Sequence, residues 1–397
     1  MAKIVRALVR PEILKWARES AGYSIDEAAR KVQVKPERMA SWETGSERAT
    51  INQLRKMAAV YKRPLSVFYL QEVPKTFQVL RDFRRLPGDG LRRYSPELVS
   101  EMRFAQQRRE LALELVDELD EEPIRFSLSA SIGDDPEELA TEIRQQLKVS
   151  YPLQSKWRDS RVGFNAWRER AEALGILVFQ MDKVSPEEVS GFAISEEVLP
   201  VVAVSRKDTP FSRRTFSLLH EFVHLLLRQS GVSDLEVDAS RPPEDQRVEV
   251  FCNHTAAAIL MPRQRFLSEE IVGRRTGRAE WEDSEIEELA KIYSVSREAV
   301  VRRLLTFGRT SDGFYRRKRA QYQAEYAARR AREKAKLQDQ EYRANPPRDV
   351  VSNFGRPFVR LVLNTYYHDR ITLSEVSSYL GLRVRHLPKI EQSVGLG

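Results

Sequence analysis

The chain has 397 residues, enough for two or three domains that each bury a hydrophobic core. Its 41% hydrophobic and 31% charged residues exclude an intrinsically disordered chain, and no run approaches eighteen apolar residues, so we expect no membrane-spanning helix. The single cysteine excludes an internal disulfide framework and, with no apolar signal segment, favours a cytoplasmic protein. The net charge of +8 permits nucleic-acid binding without demonstrating it.

Residues 11 to 70 predict four short helices joined by tight turns. Ser24 has the position of an N-cap for the second helix, which would end before a turn at Gln33. The third helix would end near Gly45, a residue suited to a helix C-terminus, and Thr50 would cap the fourth. Two such helices joined by a short turn predict a helix-turn-helix.

The segment from Ser24 to Gly45, which ends in Ser-Trp-Glu-Thr-Gly, resembles the Xre-type (lambda-repressor-like) DNA-binding family. In that fold Lys35, Arg38 and Ser41 would face the groove of double-stranded DNA. The first seventy residues hold fourteen Lys and Arg against seven Asp and Glu, which agrees with contacts to phosphates. A helical docking domain that no longer binds DNA is the alternative.

The middle of the chain predicts a spacer and then a small sheet. Pro74 to Gly90 is a turn-rich break, and Ser95 to about Leu119 has the pattern of a charged helix. Helices at 138–147 and 164–174 are followed by short apolar runs at 176–179, 191–194 and 200–204, which are typical of strands. These elements predict an α+β domain.

The sequence His220-Glu221-Phe222-Val223-His224 lies within an apolar run that predicts a buried helix. Positions i and i+4 share one face of a helix, so the two imidazoles can bind one metal ion from the same side. Glu221 stands beside them, where a carboxylate can polarise a water molecule on the metal. Because the chain has only five histidines, this spacing is informative.

A catalytic zinc site takes a third protein ligand and leaves one position open. Glu249 is the best candidate, on a predicted helix that Pro262 ends. His254 could also bind metal, stabilise an oxyanion or be a surface histidine, and Cys252 is either a soft ligand or a core residue.

The segments Gly191–Ile194, Leu199–Val202, Phe216–His224 and Glu249–Pro262 together resemble the ImmA/IrrE family of metallo-endopeptidases, and Asp82-Phe83-Arg84 and Trp167-Arg168-Glu169 are also similar to it. The resemblance implies a gluzincin-like Zn2+ site, with His220, His224 and Glu249 as ligands and Glu221 as general base. Mn2+ accepts the same ligand types. An extended substrate would add to the sheet edge near Pro200 to Val204.

The C-terminal part predicts further helices. Residues 289–304 suggest two helices with helix-turn-helix geometry inside the peptidase domain, and 315–343 predict a long basic helix. Ile371 to Gly381 again resembles a helix-turn-helix. The predicted organisation is therefore a helix-turn-helix domain at 1–72, a linker and spacer at 73–135, a zincin-like peptidase domain at 136–310 and a basic helix with a helical tail at 311–397, mostly helical overall.

These motifs favour a zinc-dependent endopeptidase that regulates transcription, and the resemblance implies that it cleaves a helix-turn-helix repressor. One alternative is a DNA-binding regulator whose peptidase-like domain senses a ligand without cleaving. Another is the protease component of a toxin–antitoxin or phage-related system. No membrane contact is expected, and the sequence leaves a homodimer open.

Overall fold

The computed structural model describes residues 5–74, 81–82, 94–185, 187–207, 209–233, 243–275, 277–338 and 346–395. Phe83, Arg84, the rest of the predicted break up to Gly90 and residues 234–242 lie outside this description. The chain divides into two units: Met1–Leu80 with Asp89–Gln107, and Arg81–Gly88 with Arg108–Gly397. None of the described helices is long and apolar enough to cross a membrane.

The first unit contains the four predicted helices and a short 3-10 helix. Their bounds are α1 Pro11–Glu19, α2 Ile25–Val32, α3 Pro36–Thr44 and α4 Ile51–Tyr61, followed by the 3-10 helix Leu65–Tyr69. The helix predicted from Ser95 to about Leu119 is observed as α5, Pro96–Glu118, and the division between the two units falls within it.

Local capping explains where α2 begins and ends. The Ser24 hydroxyl accepts the Glu27 amide and the Glu27 carboxylate accepts the Ser24 amide, which together satisfy two free donors of the first turn. Gln33 then adopts the left-handed conformation at φ 64°, and the chain turns into α3. A core around Met39 and the fully buried Trp42 ring joins the helices.

The second unit contains a five-stranded mixed sheet. Its strands are β1 Arg81–Asp82, β2 Leu177–Met181, β3 Gly191–Ile194, β4 Val201–Ser205 and β5 Gly231–Ser233, in the order β1-β5-β3-β4-β2. β2 pairs with β4 and β1 with β5 in parallel, whereas β3 is antiparallel to both of its neighbours. The three predicted strands are confirmed, and β1 and β5 were not predicted.

The prediction that a substrate adds to a sheet edge at Pro200 to Val204 was wrong. β4 lies inside the sheet between β3 and β2, so its main-chain groups already pair on both sides. An apolar run of five residues is equally compatible with an inner strand or an edge strand, because its position in the sheet depends on distant partners.

Nine helices of the second unit precede the C-terminal part of the described chain. They are α6 Pro136–Gln146, α7 Tyr151–Gln154, α8 Ser160–Glu172, α9 Phe211–Leu226, α10 Pro243–Leu260, α11 Arg263–Ser268, α12 Glu270–Gly273, α13 Asp283–Tyr293 and α14 Arg297–Thr306. α9 and α10 pack against each other in the main core, where Ala256 and Ala258 are fully buried. Small side chains let the two helix backbones approach closely.

The C-terminal residues form α15 Asp312–Gln338, α16 Pro346–Phe354, α17 Arg356–Tyr367, α18 Leu373–Leu380, a 3-10 turn Val384–His386 and α19 Leu387–Val394. α16 lies against β2: the Gln180 side-chain amide donates to the Ser352 carbonyl at 2.8 Å. The Phe179 and Phe358 rings meet edge to face at 6.2 Å. The expected mostly helical α+β fold is confirmed.

Candidate metal centre

Helix α9 brings the two histidines of the His-Glu-x-x-His pattern to one point. The residues from Thr215 to Leu226 are almost all buried, because the apolar positions surround the helix on every side. His220 and His224 are one turn apart, and their Nε2 atoms lie 3.1 Å from each other. Both rings are excluded from solvent.

Helix α10 supplies the third group. Glu249 Oε2 lies 3.4 Å from His220 Nε2, and Glu249 Oε1 lies 3.3 Å from His224 Nε2. A tetrahedral ion with bonds of about 2.0–2.1 Å holds its ligand atoms roughly 3.3–3.4 Å apart. The three observed separations therefore have the size that a tetrahedral metal site requires.

The surrounding polar atoms also fit a bound cation. Within the described part of the chain, Glu249 has no hydrogen-bond partner other than the two imidazoles, and Glu221 Oε1 has none. Asn253, one turn after Glu249 on α10, has both side-chain polar atoms buried without a partner. Buried polar groups normally find partners, so their concentration on these two helices agrees with a site built for a ligand.

Glu221 and Glu249 are two buried carboxyls with opposite proton affinities. Burial, and then the nearby negative charge of Glu249, raises the pKa of Glu221 well above its ordinary value. Burial also acts to raise the pKa of Glu249, but His220 and His224 outweigh it and lower the pKa to about 2. Of the two carboxyls, Glu249 thus favours the ionised form and Glu221 the protonated form.

The structure adds Ser233, at the end of β5, to the site. Its hydroxyl donates to Glu221 Oε2 at 3.4 Å and lies 3.2 Å from His224 Nε2. The side chain is fully buried. Sequence reasoning missed it because a three-residue strand has no periodic pattern, and a lone serine in a predicted loop gives no signal.

Gly191 on β3 lets the sheet approach the general-base candidate. A Cβ atom at this position would lie 2.9 Å from both Cγ and Oε1 of Glu221 and 2.8 Å from the Ala203 carbonyl oxygen. Any larger residue would therefore displace α9 or the β3–β4 pair. Because Gly191 has no side chain, the Glu221 carboxylate can occupy the space beside β3.

The three predicted DNA contacts lie on α3 of the first unit, at intervals of three residues. Lys35 is the exposed N-cap residue, and Arg38 is exposed with its Nε 3.9 Å from a carboxylate oxygen of Glu47. Ser41 is half-buried, and its hydroxyl donates to the Arg38 carbonyl at 2.8 Å. The two basic side chains remain accessible, whereas the serine already has an internal partner.

Residues 171–305 match the family model of the IrrE N-terminal-like domain, Peptidase_M78. This IrrE-like domain is similar to that peptidase family. This segment contains His220, Glu221, His224 and Glu249, and the peptidase family to which the model belongs implies a metal. Residues 14–68 match a helix-turn-helix family model. No curated protein matches the chain. The predicted combination of the two domain families is confirmed.

The IrrE-like domain places the alternative ligands elsewhere. The ligand atoms of His220, His224 and Glu249 all lie within 4.8 Å of one another, and neither Cys252 nor His254 joins that group. Cys252 is a fully buried core residue. His254 instead hydrogen-bonds Glu137 at 3.0 Å.

A buried ion pair holds α6 near this side of the IrrE-like domain. Both guanidinium Nη atoms of Arg303 donate to the Glu137 carboxylate, at 2.6 and 2.7 Å, and Arg303 also donates to the Met261 carbonyl just after α10. Burial opposes ionisation of Glu137, but His254 and Arg303 lower its pKa to about 2. The ion pair thus fixes the end of the helix that carries Glu249.

Proposed function

We propose that this protein is a zinc-dependent endopeptidase that regulates transcription by cleaving a helix-turn-helix repressor. The observation that carries this proposal is the buried triangle of His220, His224 and Glu249 with Glu221 beside it. The two family matches support the same function, because one chain then contains a peptidase-type domain and a DNA-binding type of domain.

The ligand types favour zinc. Two imidazoles and one carboxylate at tetrahedral separations suit Zn2+, whereas Mn2+ prefers a larger shell rich in oxygen ligands. Burial lowers the pKa of His224, which favours the neutral imidazole that binds metal.

A bound zinc ion would supply a Lewis acid that polarises the scissile carbonyl and lowers the pKa of water. Glu221 would accept a proton from the attacking water and deliver it to the leaving amine. Ser233 would hold Glu221 Oε2 in place, which leaves Oε1 for that proton transfer. Gly191 would keep the carboxylate from being pushed toward the ligands.

The helix-turn-helix domain would bring the peptidase to DNA or to the repressor itself. Lys35 and Arg38 are exposed on α3 and could neutralise phosphates. Cleavage near an operator would remove the repressor where it acts.

The test uses the purified protein with Zn2+ and the helix-turn-helix repressor encoded by the neighbouring gene. Wild type should cut the repressor at one bond, and Glu221→Gln should reduce the rate by at least a hundredfold while retaining zinc. Glu142→Gln is the matched control, because Glu142 is exposed and has no hydrogen-bond or ion-pair partner among the described residues, and this variant should cleave normally.

Two results would contradict the proposal. One is stoichiometric zinc with no cleavage by wild type; with DNA binding that depends on zinc, it would favour the sensory, non-cleaving regulator. The other is equal cleavage by wild type and Glu221→Gln, which would assign the activity to a contaminant or another site.

A further inference from the structure

The C-terminal helices α18 and α19 repeat the capping and turn pattern of the N-terminal helix-turn-helix. α18 has eight residues, as α2 has, and begins with a reciprocal capping box, here between Thr372 and Glu375. It ends at Gly381 with φ 63°, where α2 ends at Gln33 with φ 64°. In both segments, a residue in the left-handed conformation therefore turns the chain directly after an eight-residue helix.

The register continues through the second helix of each pair. Two residues after the left-handed residue, Lys35 caps α3, and Arg383 caps the 3-10 turn that leads into α19. Seven residues further on, Trp42 and Ile390 are both buried. Arg360 Nε on α17 donates to the Val394 carbonyl at 2.7 Å and holds the end of α19.

The 3-10 turn and the first turn of α19 carry exposed basic side chains. Arg383, Arg385 and Lys389 are exposed, and no carboxylate of a described residue lies within ion-pair distance of them. Glu391, the acidic residue of α19, instead accepts a hydrogen bond from Tyr367. The register positions of the three basic residues are those of Lys35, Glu37 and Ser41 on α3, so these positions carry more positive charge here than in the N-terminal segment.

Helices α13 and α14 are joined by the same kind of turn, yet this turn does not lead to a set of exposed basic side chains. α13 also ends in a left-handed residue, Ser294 at φ 54°, and Ser296 caps α14 two residues later. However, Val300, Val301 and Arg303 of α14 are buried, and Arg302 donates to the Tyr315 hydroxyl. These side chains are occupied within the fold, whereas Arg383, Arg385 and Lys389 are exposed.

We propose that residues 356–395 form a second DNA-binding helix-turn-helix, in which Arg383, Arg385 and Lys389 contact phosphates of double-stranded DNA. This goes beyond the proposed peptidase function and does not depend on it. Charge complementarity favours DNA as the partner, because Arg383, Arg385 and Lys389 place three exposed positive charges within seven residues, without a carboxylate of a described residue at ion-pair distance.

The experiment measures binding of the full-length protein to a random-sequence duplex of about 30 base pairs over a range of salt concentrations. Each phosphate contact contributes about 0.9 to the slope of log K against log salt. Replacing Arg383, Arg385 and Lys389 together with alanine should therefore reduce the slope by about 2.7, which is roughly a hundredfold loss of affinity at 0.15 M salt.

Two further variants test whether duplex binding depends on these three positions or only on the net charge of the protein. Lys156→Ala, Arg158→Ala and Arg161→Ala together remove the same charge from exposed positions in the α7–α8 connection and the first turn of α8, and should change the slope by less than 1. Arg383→Lys, Arg385→Lys and Lys389→Arg keep the charge and should retain the wild-type slope. Circular dichroism melts would verify that all variants fold.

The proposal is overturned if the triple alanine variant binds like wild type, if the control triple loses as much, or if wild type does not bind the duplex. Cleavage is not part of this measurement, so a failure here is distinguishable from a failure of the peptidase proposal.

Discussion

Replacing Gly191 with alanine would press a methyl group against the candidate general base. The new Cβ would lie 2.8 Å from the Ala203 carbonyl oxygen and 2.9 Å from Glu221 Oε1, where ordinary contacts begin at 3.4 Å. The backbone of Gly191 is not left-handed, so the cost comes from space alone. Ala203 belongs to the β3–β4 pair and Glu221 is fully buried, so neither atom can move freely.

The size of the overlap sets the expected effects. The neighbouring atoms would have to move by about half an ångström to make room for the methyl group. Overpacking of this kind in a core lowers the free energy of unfolding by about 1–3 kcal/mol. In a domain of this size each kcal/mol lowers Tm by about 2–4 °C. Because a displacement of about 1 Å can reduce a rate about a hundredfold, we expect cleavage to fall by about ten- to a hundredfold.

The assay combines a thermal melt, zinc titration by calorimetry and the rate of repressor cleavage. Zinc affinity should change by less than about threefold, because the atoms that the methyl group meets do not belong to a ligand side chain. Gly273→Ala is the control, since its Cβ would meet only the Leu267 carbonyl oxygen at 3.9 Å. If Gly191→Ala keeps the wild-type Tm and cleavage rate, the inferred contact between β3 and Glu221 is refuted.

Three further predictions follow from single contacts. Ser233→Ala should lower cleavage about tenfold with zinc still bound, and Ser233→Thr should restore it if the hydroxyl orients the general base. Glu137→Gln should lower the free energy of unfolding by about 1–3 kcal/mol at pH 7, measured in urea melts. This difference from wild type should vanish as the pH falls from 4.5 to about 2, because the wild-type carboxylate becomes protonated and loses its ion pair with Arg303. A constant difference across that range would exclude this pairing as the cause. Changing Lys35 and Arg38 together to alanine should reduce the salt slope of duplex binding by about 1.8, and an unchanged slope would remove both from the interface.

Several elements follow from short stretches of sequence. The four N-terminal helices and their caps were predicted because a capping box, a helix-opening proline and a left-handed turn residue act within a few positions. The shared face of His220 and His224 follows from helix geometry in the same way. This argument also requires that the residues around the two histidines are helical, and the apolar run of α9 was sufficient to predict that.

The third candidate ligand could not be selected from the local sequence pattern alone. Glu249, Cys252 and His254 lie on one helix, and spacing alone left all three open. Packing of α10 against α9 decides among them, because it turns Glu249 toward the imidazoles, Cys252 into the core and His254 toward Glu137. The resemblance to a family indicated the same residue, but the physical selection is tertiary.

By itself the sequence determined the helix-turn-helix elements, the paired histidines and the mostly helical α+β class, because each depends on backbone preferences and periodicities within one or two turns. Only the tertiary structure decided that β4 is an inner strand, that β5 brings Ser233 to Glu221, and that Arg383, Arg385 and Lys389 are exposed while Val300, Val301 and Arg303 of α14 are buried. Strand order and the burial of a helix face depend on residues tens or hundreds of positions apart, and a local pattern carries no information about which of those partners will pair.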